Sequence, residues 1–173
     1  MAETRTMTSE TLQTIFIGSL RNTHALEKEA IQILQRQIAR SGDYPEVEQK
    51  LRQHLDETKR QEERIDEILH SFGEDRSLLK DWATQFMGNM AALAHAPASD
   101  EILKNAFASN AFENYEIAAY KSLMTIAEAA GQSQWLPALR QSLQEEQRMA
   151  EWCASNIENL TRKYLMREEG ASR

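Results

Sequence analysis

The sequence predicts an all-α protein, a four-helix bundle with one long crossover that contains a shorter helix. Three observations predict it. Among 173 residues there are only 6 Gly and 3 Pro, while Ala, Leu, Glu, Gln and Arg abound, a composition that favours helices. Four long segments carry apolar residues at helical spacing. Gly42, Gly73 and Gly131 interrupt that spacing where helices would end. The length suits one domain over 1–173, with a polar tail over 1–8 and a frayed end over 167–173.

The first helix is expected from about Ser9 to Ser41, with Leu12, Phe16, Leu20, Ile31, Leu34 and Ile38 on one side, and Gly42 stops it. Asp43 is placed to start the second, with Pro45 in its first turn and Glu46 in capping-box position. That helix runs to about Phe72, before Gly73. In the connection 73–99, "LLKDWATQFMGNMAAL" reads as the shorter helix, its Trp82, Phe86, Met87 and Met90 packing on the bundle or forming a subunit interface. The third helix runs from about Ser99 to Ala130 and is stopped by Gly131. The fourth starts near Ser133, tolerates Pro137 in its first turn, and reaches about Met166.

Connection length sets the topology. The turns at Gly42 and Gly131 are too short for anything but antiparallel neighbours. A helix of about 30 residues is roughly 45 Å long, and the middle connection has chain enough to travel that distance. The second and third helices then run parallel, which is the ferritin-like arrangement. An up-down bundle with a surface insert is the alternative.

Charge and hydropathy exclude several classes. A net charge of −7 argues against a nucleic-acid partner, whose phosphates reward a basic face. No apolar run approaches the roughly 18 residues of a membrane span. The polar start, "MAETRTMTSET", shows no signal peptide, so a cytoplasmic protein is expected. The single Cys153 reads as core. His24, His70 and His95 stand alone and read as surface or capping residues.

Carboxylates break the apolar stripes. On the fourth helix Glu146 interrupts Leu139, Leu143, Ala150, Cys153, Ile157 and Leu160. On the third, Glu113 is central among Ala106, Ser109, Ile117, Tyr120 and Met124, with Glu116 about 60° to one side. Glu27 sits in the stripe of the first. On the second, His54 lies in the stripe, and Glu57 and Glu62 compete for the matching position.

Height favours Glu57. Glu27 lies 15 residues before Gly42 and Glu57 lies 15 after it; Glu116 and Glu146 stand likewise 15 on either side of Gly131. In an antiparallel hairpin equal distance from the turn means equal height, here about 22 Å away. Buried carboxylates need neutralising. Arg21, Arg36, Lys59, Arg60, Arg140 and Arg148 project elsewhere, and Lys121 is the nearest flank exception. Salt bridges and raised pKa values are two ways out. Two divalent cations are the third, and an oxygen-rich cage with one His suits iron or manganese.

At "FENYEIAAY", with "HLDET" and "QEEQRMAEW", the chain resembles the YciE/YciF-type bacterial stress proteins, a branch of the ferritin-like superfamily. The likeness covers nearly everything from "NTHALEKEAI" onwards, and "ENYE" is also similar to the third helix of rubrerythrins. The resemblance implies a di-iron site of Glu27, His54, Glu57, Glu113, Glu116 and Glu146, with Glu113 or Glu57 bridging. It also implies a homodimer. Two departures stand out: the second helix carries His54-x-x-Glu57 where such proteins carry Glu-x-x-His, and the fourth has Arg148 three residues after Glu145 and no His. Two functions follow as expectations. One is a stress-linked di-iron protein that oxidises ferrous iron or reduces peroxide. The other is a non-enzymatic structural or interaction protein with a structural or vestigial metal site.

Overall fold

The computed structural model describes residues 7–74 and 100–171. Four helices form where the apolar spacing puts them: α1 (Ser9–Arg40), α2 (Pro45–Ser71), α3 (Glu101–Ala129) and α4 (Leu136–Ala171), the last entered through a 3-10 turn at Ser133–Trp135. Thr8 caps α1, its side-chain oxygen accepting from the Thr11 amide at 3.2 Å. The shorter crossover helix, Trp82, Phe86, Met87, Met90 and His95 lie outside the described residues.

Two end details differ from expectation. The capping box at Asp43 does not form. Tyr44 is the N-cap of α2 without a side-chain bond, because Asp43 pairs with Arg167 at 2.7 Å and Glu46 pairs with Lys163. The same pairs explain the second difference. The chain stays helical through residues 167–171 rather than fraying, with Arg167 stacked 5.2 Å over the Tyr44 ring.

Cross-helix contacts give the directions. Along α1, Arg40 meets Glu101 of α3, Gln37 meets Ser109, and Glu27 meets Tyr120, so α1 and α3 run antiparallel. Along α2, Asp43 and Glu46 meet the end of α4, while Gln61 and Arg64 meet Glu145 and Ser142 near its start. That pair is antiparallel too. Since α1 opposes α2, the helices α2 and α3 are parallel, with the end of α2 and the start of α3 at opposite ends of the bundle. The up-down alternative is excluded, because it needs α2 and α3 antiparallel. The fold is the ferritin-like four-helix bundle.

Two large apolar clusters fill the bundle among the described residues, beside a smaller one of Leu26, Ala30 and Phe112. One, toward the Gly131 turn, gathers Phe16, Leu20, Ile65, Leu69, Leu123 and Leu139, with Phe16 and Phe72 edge to face at 5.8 Å. The other, toward the Gly42 turn, gathers Leu34, Ile38, Val47, Leu51, Met149 and Cys153. Gly131 joins α3 to the last turn at φ +71°, a conformation that L side chains strain to adopt. Gly131→Ala is expected to cost about 1 kcal/mol and to lower Tm by roughly 2–4 °C. Gly18→Ala, at a helical site with no atom within 4 Å, should leave Tm equal or higher in the same melts.

Candidate metal centre

Between the two clusters lies a polar layer supplied by all four helices. His54, Glu113, Glu116 and Glu146 each offer one nitrogen or oxygen atom, and these atoms all lie within 4.8 Å of one another. All four residues are buried, with Glu146 fully so and His54 and Glu116 at 1% exposure. On α2, His54 takes one face, and its two ring nitrogens do different things. Nδ1 is 3.4 Å from Glu57 one turn on, and Nε2 is 3.1 Å from Glu113 and 3.7 Å from Glu146. The Glu57 carboxylate thus orients the ring and turns Nε2 into the cluster.

Glu27 and Glu57 stand at the edge of this group rather than within it. The Tyr120 hydroxyl donates to Glu27 Oε1 at 2.5 Å. Glu62, the rival of Glu57, faces away toward His24, 2.9 Å distant. Glu145 and Glu146 are neighbours on α4 with opposite fates. Arg64 donates to both Glu145 oxygens, at 2.7 and 3.0 Å, and Gln61 and Gln141 add one bond each at 3.1 Å. Among the described residues no comparable donor reaches Glu146, and both its oxygens are buried without a hydrogen bond. Oε2 of Glu27, Oε2 of Glu113 and Oε1 of Glu116 share that condition.

The protonation pattern follows from burial and crowding. Burial pushes Glu27 up to about 8, against the pull of the Tyr120 hydroxyl and the His54 charge. Burial raises Glu116 and Glu146 well above the usual range, and neighbouring carboxylates add to it, Glu146 and Glu27 at Glu116 and Glu113 at Glu146. Burial pulls His54 down, but the Glu113 carboxylate and the bond to Glu57 more than reverse it, so the imidazole titrates well above its usual value. Burial raises Glu145 too, and Arg64 outweighs that and holds it low. Without its hydroxyl donor, Glu27 is left unsatisfied at both oxygens. Tyr120→Phe is therefore expected to cost about 1–2 kcal/mol, read from the denaturant midpoint in chelator.

Sequence reasoning located the layer and missed parts of its surroundings. Arg64 and Gln61, which satisfy Glu145, were not singled out; Gln61 is fully buried seven residues after His54 on the same face of α2, a signal that was available. Arg148, expected to project elsewhere, comes within 3.9 Å of Glu57 while remaining exposed. His24 is not a surface or capping residue: it is 3% exposed and faces α2. The signal for it was present, since His24 lies 18 residues before Gly42 and Glu62 lies 20 after it, nearly level in the hairpin. His70 is exposed, as expected.

Next to the layer, toward the Gly42 end, is a cavity of about 70 Å³ lined by Leu51, Ala106, Ser109, Met149 and Cys153, among others. Leu51, Ser109 and Met149 stand about one turn from His54, Glu113 and Glu146, and Ala106 and Cys153 about two. The Cys153 thiol is pushed up to about 12 by burial, which leaves it inert.

A ferritin-like bundle with a buried carboxylate–histidine cluster that could hold a metal ion defines the class of protein. The chain belongs to the DUF892 family, a domain of unknown function, which matches residues 11–166. It is 30% identical to protein YciF of Escherichia coli strain K12 over 146 residues, which is 81% of this chain and 86% of YciF. The crystal structure of that stress protein superposes with a TM-score of 0.67 at 25% identity, covering 88% of this chain and 98% of the other. A protein of known structure from Xanthomonas campestris is similar at TM-score 0.77 and 26% identity, over 92% of this chain and 99% of that one. Among the described residues, no helix is long and apolar enough to cross a membrane.

Proposed function

We propose that the chain is a cytoplasmic stress-response protein whose central layer binds iron, two ions per chain at full occupancy with manganese as the other metal that suits, and oxidises ferrous iron or reduces peroxide. One observation carries this reading: His54, Glu113, Glu116 and Glu146 bring ligand atoms within 4.8 Å of one another, and buried oxygens of Glu113, Glu116 and Glu146, with Glu27 Oε2 at the edge, have no hydrogen-bond partner among the described residues. Buried polar atoms are nearly always satisfied, so these imply a cation as the missing partner. The donor set fits, being hard oxygens and one imidazole with no thiolate. When bound, iron supplies the electrons that dioxygen or peroxide takes up.

The chain's own residues do the rest. Glu57 holds the His54 ring so that Nε2 faces the cluster. Tyr120 holds Glu27 in place by donating a hydrogen bond to it, and burial keeps that hydroxyl protonated. The apolar clusters keep bulk water out, and the cavity beside Met149 and Cys153 is wide enough for a small neutral oxidant. The stress role rests on likeness to YciF, which is described as a stress protein. The proposal includes a homodimer, supported by Phe107 and Tyr115, which are 51% and 50% exposed on α3.

A second reading, a non-enzymatic structural protein with a structural or vestigial metal site, is favoured by one observation. Glu27 and Glu57, which a second ion would need, are already engaged by Tyr120 and His54. Anaerobic ferrous loading followed by dioxygen or peroxide separates the two. About two irons per chain and a new absorption band of coupled ferric ions support the enzyme. Bound metal with no spectral change supports the structural site, and no metal at all removes both.

A further inference from the structure

The cavity toward the Gly42 turn is walled by Leu51 of α2, Ile102 and Ala106 of α3, and Met149, Cys153 and Leu160 of α4. Polar side chains line it too, but their hydrogen bonds are spent elsewhere. Gln37 and Ser109 bond each other in both directions, at 3.0 and 3.1 Å. Ser41 donates to the Ile38 carbonyl at 3.0 Å, and Arg40 to Glu101 at 2.8 Å. Glu46 pairs with Lys163, and Asn156 donates to the Trp152 carbonyl at 2.8 Å. Asn159 is exposed and Asn105 half-buried, which puts the outer side of the cavity there. Its inner side, at Leu51, Ser109 and Met149, is one helical turn from His54, Glu113 and Glu146.

Volume and lining together select the guest. An apolar cavity of about 150 Å³ stays dry and binds benzene or xenon. At about 70 Å³, this one suits a diatomic molecule rather than a ring. Hydrogen peroxide carries O–H donors and lone pairs at both ends, and here it would lose its bonds to water without replacing them. Dioxygen has no such bonds to lose, and leaving water for an apolar wall favours it. We propose that the cavity is a binding site for dioxygen, beside the central layer, and that it admits no hydrogen peroxide. The use made of the bound gas rests on the iron-oxidising reading, of whose two oxidants this site selects one.

The test of binding uses metal-stripped full-length chain labelled at its methionine methyls, under dioxygen pressure. Dioxygen is paramagnetic and speeds the relaxation of nuclei it touches. The Met149 methyl is expected to relax about threefold or more faster than those of exposed Met7 and of Met124 in the other apolar cluster. Ala106→Leu, which fills the cavity from a half-buried position, should remove that excess. In the ferrous-loaded chain, the same substitution should slow oxidation by dioxygen about tenfold and oxidation by peroxide less than about twofold. No excess at Met149 in the wild type overturns the site whether or not the variant folds, and so does an excess that survives Ala106→Leu. Equal slowing with both oxidants overturns the selection between them. A loaded chain that neither oxidant oxidises would remove the enzyme reading, while relaxation in the metal-free chain decides the cavity by itself.

Discussion

The Glu113→Gln, Glu146→Gln chain is expected to take up about a tenth or less of the iron that the wild-type central layer takes up, while its metal-free form melts higher than wild type at pH 8. Both effects come from the same atoms. Oε2 of Glu113 and both oxygens of Glu146 are buried without a hydrogen bond, in a layer where Glu27 and Glu116 add further carboxyls. Without a cation they must either ionise against one another or take up protons. Glutamine has the same shape, removes the repulsion and the alkaline cost, and supplies amide donors to the remaining carboxylates. It also removes the charge that recruits a divalent ion. The measurements are iron per chain after anaerobic loading and Tm in chelator. A variant that melts lower than wild type, or that loads iron equally, would show that these carboxylates are not held there for metal.

Metal-free wild type should lose stability as pH rises from 5 to 8. Glu27 sits at about 8 in the folded chain against 4.5 when exposed, so the folded state holds that proton more tightly. The stabilisation from it is complete below pH 4.5 and is lost as pH rises through about 8. At full effect this gap is on the order of 5 kcal/mol. Glu116 and Glu146 are raised too, and act in the same direction. His54, also raised, does likewise, since its favourable charge disappears as pH passes its folded value. Glu57, Glu62 and Glu145 are lowered, so their contributions fade only when pH falls below the ordinary carboxylate range. Metal reverses the trend because it binds the deprotonated carboxylates, so loading should raise Tm more at pH 8 than at pH 5. Thermal melts in chelator that stay flat or rise across this range would remove the crowded-carboxyl account.

Much of this was legible along the chain, and for simple reasons. The helical period exposed four stripes, and glycines 42, 73 and 131 divided them near the observed ends. The spacing of Glu27 and Glu57 about one turn, and of Glu116 and Glu146 about the other, put carboxylates at one level because an antiparallel hairpin converts sequence distance into height. The end details were not legible. Asp43 and Glu46 looked like a capping box, but Lys163 and Arg167 took both carboxylates, and those partners are more than a hundred residues away.

The sequence by itself determined the class of fold, the antiparallel hairpins and the presence of carboxylates in a core, since each depends only on local period, turn length and residue chemistry. Only the tertiary structure decided which carboxylates are satisfied and which are not. Glu145 and Glu146 are adjacent in the chain and both buried, yet Arg64 reaches one and nothing among the described residues donates to the other. The same holds for His24, which the sequence left alone and the α1–α2 packing turned toward Glu62. The partners of a buried polar group are chosen by how helices pack around it, and that choice is not written in any one helix.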